Sequence, residues 1–261
     1  MTLHPKLVVF DLDGTLAISK TAVTKEMGTL LARLLFKVPV AIMSGASTVQ
    51  FEKQVLPVLP EDAQLDRLYL FPTNAASCVT YHDGKWHPQY DHAFSAEEKD
   101  QILEVLHEAL KENNLDTPPE QLWGPQIEDR GAQIAWSALG QLAPVAEKKK
   151  WDPDFQKRLP VRATILRRLP TMSVSVGGLT TIDITRKGIT KAYGIEQLTK
   201  MTGVLATEML YVGDALMEGG NDSVVIPTGI QVQQVSGPDD TATVIEKILP
   251  NLSQEWDTSG H

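Results

Sequence analysis

Apolar residues arrive in short unbroken runs at the start of the chain. Lys6–Phe10 and Val38–Met43 are two such stretches, and Leu68–Phe71 is a third. Runs of this length without alternation are the pattern of strands buried on both faces. Between them, spacing predicts one helix over Ala22–Phe36 and another over Thr48–Leu56. Strand, turn, helix and strand in this rhythm build a parallel, doubly wound sheet.

The middle of the chain changes period. Val79–Trp86 encloses the turn pair Asp83-Gly84, a hairpin signal. Ser95-Ala-Glu-Glu98 is a capping box opening an amphipathic helix to Glu112. Short segments follow at Gln133–Ser137, Ala163–Leu166, Met172–Val176 and Leu179–Ile184, with Gly177-Gly178 as a turn. Two-residue alternation with hairpin turns predicts an antiparallel sheet carrying helices.

The tail returns to the first rhythm. A helix is expected from Thr190, strands at Met209–Val212, Val224–Pro227 and Ile230–Val232, and a last helix over Asp239–Leu249. Asn251–His261 reads as a loose end. The expected fold class is α/β: a doubly wound, Rossmann-like core, residues 1–83 and 185–261, interrupted by an α+β domain over 84–184.

Composition narrows the function. The 261 residues carry 24 basic and 33 acidic side chains, a net charge of −9. An acidic chain is a poor partner for nucleic acid, because affinity for the phosphate backbone comes from clustered Lys and Arg. No run is long and apolar enough for a transmembrane helix, and Met1–Phe10 has no secretory pattern, so no membrane partner is expected. Cys78 is the only cysteine, which excludes an intrachain disulfide and fits a cytoplasmic protein. The overall charge repels a phosphorylated substrate unless a local positive group or a bound cation offsets it.

The chemistry concentrates at predicted strand ends. Asp11-Leu-Asp-Gly-Thr15 follows the first buried strand, placing Asp11 and Asp13 where open α/β sheets bind ligands. An isolated Asp-x-Asp is most often a solvated turn; the buried strand before it and the Gly-Thr after it argue for a site. Gly213-Asp214 follows another strand, and Gly219-Gly220 returns Asn221 and Asp222 toward it. Carboxylates from two strand ends suit Mg²⁺, a hard cation that leaves room for substrate phosphate. Ser44 ends the second strand and Lys191 opens a predicted helix, so a hydroxyl and an ammonium stand ready for a transferring phosphoryl group.

At these residues the chain resembles the haloacid dehalogenase-like (HAD) phosphotransferase superfamily. Its motifs occur in order: Asp11-Leu-Asp-Gly-Thr15, Ser44, Lys191, and Gly213-Asp214 with Asn221-Asp222. The insertion is similar to the α+β cap of the type IIB branch, and within that branch the chain looks most like the eukaryotic-type phosphomannomutases. Phe71-Pro-Thr-Asn74, Asp83-Gly-Lys85, Arg130–Gly140 and Met217–Asp222 all have counterparts there.

The resemblance implies roles. Asp11 would be the nucleophile that forms an aspartyl-phosphate, and Asp13 the general acid, then base. Mg²⁺ would be held by Asp11, the Asp13 backbone carbonyl and Asp214. Ser44 and Lys191 would stabilise the transferring group, with Asn221 and Asp222 positioning the metal, its waters or Lys191. In the cap, Arg130 would grip a distal phosphate, while Thr181 and Asp183 would contact the sugar.

The chain also departs from its relatives. Gln141 stands where a second cap arginine is expected, Lys148 where a third is, and Lys20 replaces another basic residue near the nucleophile. Lysine is a point charge and lacks the bidentate guanidinium fork. The stretch Glu147–Arg168 carries eight basic against three acidic residues, a solvated face or an attractor for phosphate.

A weakened second grip predicts a Mg²⁺-dependent phosphatase acting on a phosphorylated sugar or similar small metabolite. The alternative is a phosphomannomutase interconverting mannose 1-phosphate and mannose 6-phosphate, and a third reading is a non-catalytic phosphosugar-binding module. The resemblance also suggests a homodimer through the cap, although no apolar stripe marks an interface.

Overall fold

The computed structural model describes residues 4–18, 21–177, 179–217 and 220–252. The chain forms two compact units, Met1–Asp91 with Ile189–His261, and His92–Gly188. In chain order the strands are β1 (Leu7–Asp11), β2 (Val40–Met43), β3 (Leu68–Phe71), β4 (Ser77–His82) and β5 (Lys85–Asp91). The second unit holds β6 (Ile127–Asp129), β7 (Gln133–Ser137), β8 (Met172–Gly177) and β9 (Thr181–Arg186), and the first resumes with β10 (Met209–Gly213) and β11 (Gln231–Gln234).

The first unit is built on one sheet in the order β11-β10-β1-β2-β3-β4-β5. Its centre is parallel, from β11 through β10, β1 and β2 to β3. Every residue of β1 is buried, and alternate side chains enter different cores. Val8 and Phe10 pack with Leu31, Leu34 and Leu35 of α1 (Lys25–Lys37) and with Ile245. Leu7 and Val9 pack instead with Ile195, Leu198 and Tyr211. That two-sided burial explains the unbroken apolar run, since neither face of the strand meets water. Helix α1 starts later than its periodicity suggests, because the Thr24 hydroxyl caps it by accepting from the Met27 amide at 3.2 Å. The second helix, α2 (Thr48–Gln54), and the single turn α3 (Pro72–Ala75) follow β2 and β3.

The structure corrects three expectations. The Asp83-Gly84 hairpin belongs to the first unit and not to the insertion: β4 pairs antiparallel with β3, and β5 with β4. The unit boundaries therefore fall at 91/92 and 188/189 in place of 83 and 185. Ala163–Leu166 is no strand but part of helix α6 (Arg158–Arg168), where Val161 and Ile165 are four residues apart and both buried. Val224–Pro227 lies in a 3₁₀ stretch, Ser223–Thr228. Pro227 has no N–H for a ladder, and burial selects Val225 while leaving Val224 and Ile226 exposed.

The second unit is an antiparallel sheet, β6-β7-β9-β8. Helix α4 (Ala96–Glu112) begins at the expected capping box, with Ser95 and Glu98 satisfying each other's amides. Ile102 and Leu106 of α4 meet Val161 and Ile165 of α6 and Ile134, Trp136, Val174 and Ile184 of the sheet in one core. The basic stretch is mostly consumed within this unit. Arg158 is fully buried against Asp152 at 2.7 Å, Arg168 pairs with Glu108 and Glu112, and Lys150 of α5 (Val145–Trp151) pairs with Glu147. Among the described residues, no helix is long and apolar enough to cross a membrane.

Candidate active site

Parallel pairing fixes where the acids go. Asp11, the last residue of β1, is in register with Met43 of β2, so Ser44 is the next residue on the neighbouring strand. On the other side Phe10 pairs with Val212, which puts Gly213 and Asp214 just beyond it. Helix α7 (Lys191–Thr202) begins with Lys191. Three strand ends and one helix start thus converge on the carboxyl edge of the sheet, where this architecture binds ligands.

The convergence is a closed polar cluster. Lys191 Nζ donates to Asp11 Oδ1 at 2.5 Å, to Asp222 Oδ1 at 2.6 Å and to the Tyr211 hydroxyl at 3.1 Å. The Tyr211 hydroxyl donates to Asp222 Oδ1 at 2.7 Å, and the Ala215 amide to Asp222 Oδ2 at 3.2 Å. Asp11, Lys191, Tyr211 and Asp222 are all buried. Burial pushes the Asp11 carboxyl up to about 6; Lys191 opposes that shift, and Asp222 and Asp214 add to it. Burial works against the Lys191 charge, but Asp11, Tyr211 and Asp222 hold its ammonium well above the usual lysine range. Asp214 is also raised, by burial first and then by Asp222. Carboxylates outnumber cations here, and each shift has the sign expected of anions crowded into low dielectric.

Asp11, Asp214 and Asp222 each offer an oxygen within 4.8 Å of the others. Their hard oxygen donors fit Mg²⁺. Both Asp222 oxygens are already taken by protein donors, which suits a positioning role, while Asp214 is half-buried. Space for Asp214 comes from Gly14, whose φ is +88° and where a Cβ would sit 2.4 Å from Asp214 Oδ2. Asp13 is half-buried in the turn that follows β1, bridged to Ala17, and its carboxylate does not join the three convergent oxygens. Asn221 is exposed. Lys20 lies outside the described residues.

Ser44 is buried in a locked loop. Its Oγ accepts from the Ala46 amide at 3.0 Å, and its carbonyl accepts from the Asn74 amide at 2.8 Å. Thr73, Asn74 and Ala75 all have positive φ, from 49° to 68°, an uncommon left-handed run for residues with side chains. A Cβ at Gly194 would come within 2.7 Å of Ala75 Cβ. Lacking that Cβ, α7 packs closely on the turn, three residues after Lys191.

In the second unit, Thr181 and Asp183 alternate along β9 and so share a face, opposite Ser137 and Ala135 of β7. Asp183 accepts from Gln133 Nε2 at 2.7 Å, and Arg130 pairs with Glu128 at 2.8 Å. Lys148 Nζ donates to the Gln141 carbonyl at 3.2 Å, and Gln141 Nε2 is buried without a hydrogen-bond partner. Two participants escaped sequence reasoning: Gln133, and above all Tyr211, whose only signal is one phenol tip in the otherwise apolar run Met209–Val212.

A family model described as eukaryotic phosphomannomutase matches residues 27–251, well over half the chain. The chain belongs to that family. Relatives agree along nearly its whole length. The phosphomannomutase of Spinacia oleracea is 27% identical over 254 residues, covering 92% of this chain and 95% of its own. That of Encephalitozoon cuniculi is 26% identical, covering 94% of each. Among solved structures, an IMP-nucleotidase of Plasmodium falciparum superposes with a TM-score of 0.70 at 15% identity, over 95% of this chain and 67% of that one. A haloacid dehalogenase-like hydrolase from Bacteroides thetaiotaomicron gives 0.63 at 17% identity, over 94% and 99%. These two likenesses establish the fold: a Rossmann-like core with a cap. As a eukaryotic-phosphomannomutase family member, the chain is a HAD-superfamily enzyme of the phosphotransferase and phosphatase class.

Proposed function

We propose that the protein is a phosphomannomutase, moving a phosphoryl group between positions 1 and 6 of mannose through Asp11. The observation that carries this reading is the buried Asp11–Lys191–Asp222 cluster inside a chain matched by the phosphomannomutase family over residues 27–251. The family match supports the mutase reading over the phosphatase expected from the cap substitutions alone.

In this reading the phosphorylated Asp11 meets a hexose monophosphate. The sugar's free hydroxyl attacks phosphorus while Asp13 takes its proton, the Asp11–phosphorus bond breaks, and a hexose bisphosphate forms. The bisphosphate turns around. Asp11 then attacks the other phosphate, and Asp13 returns the proton to the leaving sugar oxygen. Lys191 neutralises charge on Asp11 and on the transferring group, and Ser44 offers its hydroxyl to the same group. Asp11, Asp214 and the Asp13 carbonyl would hold Mg²⁺, which supplies charge neutralisation between two anions. Asp222 keeps Lys191 in place. Arg130, Thr181 and Asp183 bind the sugar and its distal phosphate.

Phosphatase activity is the second reading, and Gln141 favours it. An amide there cannot replace a guanidinium fork, and a bisphosphate that escapes leaves phospho-Asp11 to water. The test is mannose 1-phosphate with a trace of hexose bisphosphate and Mg²⁺, following mannose 6-phosphate and free phosphate together. Isomerisation outrunning phosphate release is expected. Phosphate release without isomerisation would replace the mutase by the hydrolase.

A further inference from the structure

We propose that Tyr211 is a positioning residue that aims the Lys191 ammonium at Asp11. This rests on the reading of Asp11 as phosphoryl acceptor. A lysine ammonium has three N–H donors, and Lys191 has three acceptors: Asp11 Oδ1, Asp222 Oδ1 and the Tyr211 hydroxyl. The second and third also bond each other, at 2.7 Å. Nζ, Asp222 Oδ1 and the phenol oxygen therefore form a triangle with sides of 2.6, 2.7 and 3.1 Å. Two of the ammonium's donors are spent inside the triangle, and the third has one direction left, toward Asp11.

The chemistry of the third corner is restricted. Lys191 is only 1% exposed, and an unmatched donor on a buried charge is costly. A third carboxylate would add an anion to a site already rich in them. A phenol supplies a neutral acceptor and, from the same oxygen, the donor that fixes Asp222.

The backbone leaves room for this arrangement. A Cβ at Gly213 would come within 2.4 Å of Asp222 Oδ2 and 2.8 Å of Tyr211 Cε1. The glycine that precedes Asp214 thus has a second use, letting the strand carry Tyr211 and Asp222 side by side. Tyr211 is fixed from below as well, paired with Val9 of β1 and Val232 of β11 in the buried sheet.

The test is Tyr211→Phe, which keeps the ring and removes the oxygen. Turnover of the best phosphoester found for the wild type is expected to fall about ten-fold in kcat with KM unchanged, the loss of one aligned hydrogen bond. The Lys191 ammonium signal in ¹⁵N NMR, assigned by its absence in Lys191→Met, is expected sharp in wild type and broadened in Tyr211→Phe. Installing p-aminophenylalanine at 211 returns a neutral donor and acceptor and should restore most of kcat. Wild-type kcat in Tyr211→Phe, or a fall in kcat while the Lys191 signal stays sharp, would overturn the proposal. A wild-type protein that turns over no phosphoester would instead refute the proposed function, with the NMR comparison still deciding the role of Tyr211.

Discussion

Gly14 and Asp214 occupy the same small volume: a Cβ on the glycine would stand 2.4 Å from Asp214 Oδ2. Gly14 also holds φ at +88°, where an L-residue is strained. Gly14→Ala is therefore expected to push Asp214 aside and lower turnover about 100-fold, the usual cost of misplacing a reacting group by an ångström. Steady-state kinetics over a Mg²⁺ series would check it; unchanged kinetics would remove Asp214 from the site.

Asp11→Asn should leave a folded protein without turnover. Lys191 keeps Asp222 and Tyr211 as acceptors, so the cluster loses its nucleophile but not its scaffold. The wild type incubated with labelled hexose bisphosphate should carry a base-labile label that the variant lacks. Labelling of both proteins alike would move the acceptor elsewhere.

Arg158 and Asp152 form an ion pair with neither side chain exposed. Burial pushes the Asp152 carboxyl up, but the Arg158 hydrogen bond and the Lys157 and Arg158 amides hold it below the usual carboxylate range. Removing one partner strands the other, so Arg158→Leu is expected to cost about 3–5 kcal/mol of stability. Urea denaturation followed by tryptophan fluorescence would measure this, and a loss under 1 kcal/mol would contradict it.

Glu98 ties Arg186 to the start of α4. The Arg186 hydrogen bond and the Ser95 amide lower its carboxyl from 4.5 to about 2. A folded pKa below the unfolded one gives stability that is present above the unfolded value and lost as pH falls through the folded one. Tm should therefore drop between about pH 4.5 and 2, and Glu98→Gln should flatten that part of the profile. Parallel wild-type and variant profiles would assign the loss to other groups.

Cys78 is buried in the first unit and its thiol is pushed up to about 12 by burial. The thiolate is the reactive form. A disulfide reagent at pH 8 should leave the native protein unmodified and label one thiol after denaturation. Rapid labelling of native protein would show that the β4 region opens.

Much of the core was legible because its strands are buried on both faces, which forces continuous apolar runs at Leu7–Phe10 and Leu68–Phe71. Asp11, Ser44, Lys191 and Asp214 stand out in the sequence for a related reason, each lying at the end or the opening of a predicted element. The Asp83-Gly84 hairpin reads the same from sequence whichever sheet it joins, and only the pairing of β4 with β3 assigns it to the first unit. Ala163–Leu166 was misread because a four-residue apolar run fits a strand and a helix equally, and only packing against α4 separates them.

The order of elements, the parallel core and the acids at its strand ends were determined by the sequence alone, because burial period and chain order are local properties. Tertiary structure decided what those acids do to one another. Lys191 reaches Asp11 across 180 positions of chain, and Tyr211 enters their cluster only because β10 lies beside β1. Hydrogen bonds and charge shifts depend on distances of a few ångströms, and those distances are set by sheet pairing and by the close packing that Gly14, Gly194 and Gly213 permit.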